Sequence, residues 1–311
     1  MKGTVVKSTG NLYTVRTDEA GVVVECKVKG SFRLKGIRST NPVAVGDRVS
    51  VEPSGDGMGY ITAIDDRRNY IIRKASNLSK QSHILAANLD LVLLLATPSM
   101  PETSTTFIDR VLAGAEAYGV PVVIVFNKSD LYTPTDRHRV DELRAVYTAI
   151  GYPCLEISCH THSGTEELFA LLAGKVTLLA GHSGVGKSTL LNLLVPSANM
   201  RTSAISCTHG TGMHTTTFSE WFALPGGGAL IDVPGIKGFG TFDFERAEVA
   251  HYFREIFTTS SACRFADCTH THEPGCAVLT SITSGTIAES RYKSYLSILS
   301  DEADNKYREG Y

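Results

Sequence analysis

The chain has 311 residues with 30 Lys+Arg against 32 Asp+Glu, a formal net charge of −2. With 42% hydrophobic and 20% charged residues it can bury real cores and is not disordered by composition. No apolar run approaches the roughly 18 residues that span a bilayer. The start, Met1-Lys2-Gly3, leads directly into β-like alternation with no apolar leader, which predicts a cytoplasmic protein.

Residues 1–65 read as short strands: β-branched runs at 4–6, 12–15, 22–26 and 48–51 alternate with turn signals such as Gly10-Asn11 and the glycines of 55–59. About five such strands predict a small closed barrel of the OB type. The net charge hides a local field here. Residues 27–48 hold Lys27, Lys29, Arg33, Lys35, Arg38 and Arg48 against one acid, Asp47, a local +5. Phe32 lies among them, and Tyr13 and Tyr60 are candidates for the same surface, a pattern that suits RNA. Residues 66–88 are polar without clear periodicity and read as a connector.

The pattern changes at Leu89. Apolar runs of strand length at 89–97, 120–127, 154–158, 176–181 and 229–233 are interleaved with helix-like stretches at 107–118, 136–150, 166–172 and 187–194. This predicts a mostly parallel sheet covered on both faces, spanning 89–241. Residues 242–311 turn polar and helical, with a Cys/His cluster and a helix predicted over 288–300. The expected fold class is therefore multidomain α/β: barrel, connector, α/β domain and helical module.

Gly181-His182-Ser183-Gly184-Val185-Gly186-Lys187-Ser188 matches G-x-x-x-x-G-K-[ST], with a strand before it and an apolar helix from Thr189 after it. Glycines let backbone N–H groups curl around phosphates, and the helix N-terminus favours negative charge. Lys187 is placed to reach the β- and γ-phosphates and Ser188 to bind Mg²⁺. Asn127-Lys128-Ser129-Asp130 ends a second apolar strand and matches N-K-x-D. Asp130 can accept from guanine N1–H and its 2-amino group, a donor pair that adenine lacks, so the nucleotide read here is GTP. Asn127 braces that loop and the Lys128 stem covers the base and ribose. Ser158-Cys159-His160 follows a short strand and suits a backbone contact to guanine O6. Asp232-Val233-Pro234-Gly235 matches D-x-x-G, with Asp232 near Mg²⁺ and the Gly235 N–H toward the γ-phosphate.

Thr215-Thr216-Thr217 lies where a switch threonine completes the Mg²⁺ shell, with Thr216 the candidate. Ile236 stands where many GTPases carry a water-orienting glutamine, and His214 is the candidate for that task. The base-reading motif precedes the P-loop, the reverse of the ordinary order, which reads as a circular permutation. The sheet is expected to be the usual one with its ends joined and a new break after Asp232.

The spacing Cys263-x4-Cys268-x-His270-x5-Cys276 brings three thiols and an imidazole into fourteen residues. A Cys3His set closes a tetrahedral zinc shell with no open position, which makes it structural. His272 is the rival nitrogen ligand. The other four cysteines, Cys26, Cys154, Cys159 and Cys207, read as small buried or half-buried thiols.

Together these residues resemble the ribosome small-subunit-dependent GTPase A family. The likeness rests on Lys35-Gly36-Ile37-Arg38, the permuted motif order, the P-loop octet, Met213-His214-Thr215-Thr216-Thr217, and the Cys/His spacing followed by Ala277-Val278. The resemblance covers essentially the whole chain. It implies an N-terminal OB-fold, a central permuted GTPase and a C-terminal zinc module. It further implies hydrolysis of GTP to GDP, stimulated by the small ribosomal subunit late in that subunit's maturation. The implied cofactors are Mg²⁺ and one zinc, and the implied partners are the subunit and its rRNA; no DNA partner, no membrane and a monomer are separate expectations. His214 fits the family's hydrolysis-assisting histidine. The family usually has Arg at the position of Met213 and Gln at that of His182. Two other readings compete: an RNA-binding scaffold using GTP only as a conformational ligand, and a GTPase switch acting on a protein partner.

Overall fold

The computed structural model describes residues 1–19, 21–29, 42–54, 57–74, 82–198, 219–233 and 244–308, with the backbone alone described at 73, 74, 82, 83 and 301–308.

Five strands make the N-terminal barrel: β1 (Lys2–Ser8), β2 (Tyr13–Thr17), β3 (Val23–Val28), β4 (Arg48–Pro53) and β5 (Gly59–Ile64). They run in the order β1-β2-β3-β5-β4, and β4 pairs back onto β1. Only the β3–β5 pairing is parallel among these strands. This is the closed OB arrangement, and closure leaves no open edge. Alternation fills it: Val5, Val15, Cys26, Val49, Val51 and Ile61 point inward. Tyr13 belongs to that inward set, 2% exposed, with its hydroxyl donating to the Gly10 carbonyl. It is not a surface residue as expected, because it shares the face of Val15; Tyr60 is on the surface.

The basic field of 27–48 is also partly spent. Lys29 pairs with Glu52 at 3.1 Å and Arg48 pairs with Asp18, while Asp47 is buried against Arg67 at 2.6 Å. Lys27 is exposed. Phe32, Arg33, Lys35, Gly36, Ile37 and Arg38 lie outside the described residues.

The connector is not featureless. It contains an antiparallel pair, β6 (Tyr70–Lys74) and β7 (Ser82–Ala87), carrying buried Ile71, Leu85 and Ala86. These join the core beneath the central sheet. A parallel bridge from Val45 to Ala86 ties the barrel to this pair.

The central sheet contains β8 (Leu91–Ala96), β9 (Val122–Phe126), β10 (Cys154–Glu156), β11 (Val176–Ala180), β12 (Ser219–Ala223) and β13 (Ala229–Asp232). Its order is β10-β9-β8-β11-β13-β12, parallel throughout except for β12. Strands of continuous apolar residues have two buried faces. On β8, Val92, Leu94 and Ala96 meet α1 (Thr105–Ala117) and α2 (Pro134–Ala149), while Leu91, Leu93 and Leu95 meet α3 (Thr165–Leu172) and α4 (Lys187–Leu194). Strand β12 is an addition to the predicted set. It continues the sheet into the barrel, pairing with β1 at Lys7↔Glu220 and Ser8↔Ser219, so that barrel and central sheet form one 11-stranded sheet.

The C-terminal module has α5 (Arg254–Ser260), α6 (Ala277–Thr283) and α7 (Glu289–Arg308) around Phe253, Ile256, Val278 and Tyr295. It is fastened to the central domain by Arg291, 1% exposed, which pairs with Asp109 of α1 at 2.7 Å and Glu255 of α5 at 2.6 Å. No described helix is long and apolar enough to cross a membrane.

Candidate functional site

The loop from β11 into α4 carries Gly181, Gly184 and Gly186 in left-handed backbone conformations. At Gly186 the requirement is also steric: a Cβ there would lie 2.3 Å from the Asn127 amide nitrogen. Lys187 opens α4, and its Nζ donates to the carbonyls of Gly181 and His182, both at 2.7 Å. The ammonium thus lies inside the curl of the loop. Burial pushes Lys187 down, opposed by Asp232; burial pushes Asp232 up, opposed by Lys187. Asp232 ends β13 and is 8% exposed. A desolvated cation in the loop and a desolvated anion at the end of β13 therefore partly offset one another. Ser183, Gly184 and Thr189 are exposed on its rim, Ser188 is half-buried, and Val185 is buried. The His182 ring packs on Phe107 of α1, centroids 3.6 Å apart, which ties the loop to that helix.

The loop after β9 is built around Asn127, 1% exposed. Its Nδ2 donates to the Val185 carbonyl at 2.8 Å and its Oδ1 accepts from the Cys159 N–H at 3.2 Å. One side chain thus joins all three loops. Asp130 accepts from the Ser158 hydroxyl at 2.5 Å, and Ser158 Oγ accepts from the N–H groups of His160 and Thr161. Lys128 takes a left-handed conformation and donates to the Met100 carbonyl at 2.6 Å. That contact was not foreseen. It brings in the connection between β8 and α1, where the Thr97 hydroxyl donates to Pro101 O at 2.5 Å, and no residue pattern in that stretch announces it.

Met213, His214, Thr215, Thr216, Thr217 and Gly235 lie outside the described residues, as does Cys207. Cys26 and Cys159 are buried free thiols, and Cys154 is half-buried. Burial pushes the Cys26 and Cys159 thiols up to about 11.

Cys263, Cys268, His270 and Cys276 converge, their ligand atoms all within 4.8 Å of one another. His270 Nδ1 lies 3.6 Å from Cys263 Sγ and 3.5 Å from Cys276 Sγ. Ligand separations near 3.8 Å are what a tetrahedral zinc with bonds of about 2.3 Å produces, so the set fits that ion. His272 is exposed and hydrogen-bonded to Thr271, outside the cluster. Gly275, at φ +75°, makes the turn that brings Cys276 back. The hydroxyls of Tyr292 and Tyr295 donate to the carbonyls of His270 and Thr269, fixing the loop on α7.

The family model described as RsgA GTPase matches residues 64–242, and that of the RsgA N-terminal domain matches residues 2–61. The chain is 60% identical over 311 residues to the small ribosomal subunit biogenesis GTPase RsgA of Bacteroides fragilis, covering 100% of both chains. It is 61% identical over 316 residues to the protein of that name from Porphyromonas gingivalis, again with full coverage. Among solved structures, YjeQ from Thermotoga maritima matches with a TM-score of 0.76 at 36% identity, over 96% of this chain and 97% of that one. YloQ, described as a circularly permuted GTPase, matches with a TM-score of 0.73 at 28% identity, over 98% of this chain and 95% of that one. With its permuted sheet, its OB barrel and its Cys3His cluster, the chain belongs to the RsgA GTPase family.

Proposed function

We propose that the chain hydrolyses GTP to GDP and phosphate during late maturation of the small ribosomal subunit, and that the subunit stimulates turnover. The observation that carries this reading is the junction at Asn127, which ties the N-K-x-D loop to the P-loop and to the Ser158-Cys159 loop. Base recognition and phosphate binding then share one rigid frame, the preorganisation on which phosphoryl transfer depends.

Asp130, oriented by Ser158, accepts from guanine, with the Cys159 backbone beside it. Asn127 and Lys128 hold the base loop. Residues 181–189 wrap the phosphates, and Lys187 leaves its two carbonyl partners to hold the β- and γ-oxygens. Ser188, Thr216 and Asp232 are the residues that would hold magnesium, which when bound offsets charge on the phosphate oxygens. Gly235 contacts the γ-phosphate, and His214 orients the attacking water. Cys263, Cys268, His270 and Cys276 would hold one structural zinc.

Residues 1–65 serve as the RNA-docking barrel, 66–88 as the connector, 89–241 as the GTPase domain and 242–311 as the zinc module of a cytoplasmic monomer. Lys27 and Tyr60, both exposed, support rRNA contact on the barrel. The test is multiple-turnover GTP hydrolysis with and without purified small subunits. Stimulation of about tenfold or more is expected, since unaided GTPases of this type are slow. Unchanged turnover overturns subunit stimulation. Binding to the subunit should also weaken steeply with salt if phosphate contacts dominate.

A further inference from the structure

Lys7, Glu220 and Asp232 stand side by side on three neighbouring strands. Lys7 of β1 is the register partner of Glu220 on β12, and Glu220 is the register partner of Asp232 on β13. Partners across antiparallel strands share a face, with Cβ atoms about 4.5–5.5 Å apart. Lys7 Nζ lies 3.0 Å from Glu220 Oε1, with the two side chains 38% and 36% exposed. On the far side, the positive charge of Lys187, held in the loop after β11, acts on Asp232. The charges therefore run plus, minus, minus, plus, from the barrel to the P-loop.

Two carboxylates directly opposite one another repel. Each is compensated from its outer side, Glu220 by the barrel and Asp232 by the P-loop. The strand geometry serves this arrangement. A bulge in β1 between Val5 and Lys7 shifts the register with β2, beside the point where the other edge of β1 changes partner from β4 to β12. Bulges commonly re-aim a side chain in this way. A second contact holds the same seam: the Arg16 guanidinium lies 5.7 Å from the centroid of the Trp221 ring.

We propose that Glu220 is a positioning residue for the magnesium end of the nucleotide site, acting through Asp232, and that Lys7 sets how much of its charge reaches that end. This rests on the reading of Asp232 as the magnesium carboxylate. With Lys7 in place, Glu220 is largely neutralised. When the barrel moves off β12, Glu220 is unmasked, the negative potential at Asp232 rises, and a divalent cation is held more tightly. The barrel, as the docking element, and the nucleotide site are then joined by one line of charge.

The test uses the full chain with a fluorescent GDP, titrated with Mg²⁺, reading the Mg²⁺ midpoint of nucleotide retention. Lys7→Met keeps most of the stem and removes the charge; it should lower the midpoint about two- to threefold, a size set by screening around a part-exposed pair. Glu220→Gln should raise it by a similar factor, and the double variant, which removes both charges, should return close to the parent. Lys7→Arg should match the parent, and the shifts should shrink in 0.5 M KCl. A pair that merely props the seam predicts instead that both single variants shift the midpoint in one direction. That result, or no shift in either variant, overturns the proposal. Retention of GDP by the parent chain that ignores Mg²⁺ altogether overturns the underlying reading of Asp232 as well, and is recognised because it needs no variant.

Discussion

The side-chain amide of Asn127 donates to the carbonyl of Val185 at 2.8 Å, so the loop after β9 is bonded to the loop after β11. The same side chain accepts from Cys159 N–H, and its backbone carbonyl accepts from the Tyr132 hydroxyl at 3.0 Å. Asn127→Ala would strip partners from the Val185 carbonyl and the Cys159 N–H. Each orphaned buried group costs about 1–3 kcal/mol. A loss of about 2 kcal/mol or more in the urea unfolding of the central domain is expected, with GDP affinity falling at least about tenfold. Gly186→Ala should do similar damage, since its Cβ meets the Asn127 amide and its φ is +106°. Normal GDP affinity in Asn127→Ala would show that the two loops bind independently.

Asp130 is the second point of attack. It is exposed, and its carboxylate is aimed by the Ser158 hydroxyl, itself held by two backbone N–H groups. Replacing the carboxylate with an amide presents a donor where guanine also presents one. Asp130→Asn should weaken GDP binding by about 10- to 100-fold, as expected for loss of charge-assisted bonds of about 1.5–3 kcal/mol. Xanthosine diphosphate, with an acceptor at that position, should gain. Competition between the two diphosphates measures this directly, and unchanged selectivity would remove Asp130 from the base site.

The central sheet was readable because β8, β9 and β11 are buried on both faces and so consist of unbroken apolar residues. Strand β12 (Ser219–Ala223) was not, because it is only half-buried at the margin of the central sheet and mixes Ser219 and Glu220 with Trp221 and Phe222. The β6–β7 pair escaped notice because its few buried residues, Ile71 and Leu85–Ala87, sit in a polar stretch. Motif residues were legible since a phosphate loop constrains residue type at each place. The contact of Lys128 with Met100 was not, because a backbone carbonyl accepts whatever side chain its residue carries. The barrel charge was legible only in part: a count over residues 27–48 includes Lys29 and Arg48 but not the acids, Glu52 and Asp18, that the fold sets beside them.

The Cys3His cluster predicts a metal-dependent module. Cys276 also caps α6 through its sulfur, which accepts from the Leu279 N–H, and the tyrosines of α7 hold the ligand loop. Structural zinc can contribute on the order of 10 kcal/mol to a small module. Cys276→Ser, or prolonged chelation, should lower bound zinc from one per chain to near zero. Protease cleavage within residues 244–308 should then accelerate by about tenfold or more. One zinc retained after Cys276→Ser would exclude this residue as a ligand.

Arg291 yields the sharpest prediction on stability. Its guanidinium lies over the Phe253 ring at 4.5 Å and bonds Asp109 and Glu255 from one position on α7. Burial alone would lower its pKa; Asp109 and Glu255 reverse that and raise it, so the group is charged. Asp109, which also accepts from the Tyr147 hydroxyl at 2.8 Å, is fully buried. Arg291→Met would leave that carboxylate without its cation, a break that typically costs about 3–5 kcal/mol. Because the pair bridges α1 and α7, the loss should appear first as faster hydrogen exchange in α5 and α7, ahead of the central sheet. Arg291→Met combined with Asp109→Leu should recover much of the stability, since an apolar pair of similar volume needs no compensation. A single-variant loss below about 1 kcal/mol, the size of a surface ion pair, would mean that other contacts hold the module in place.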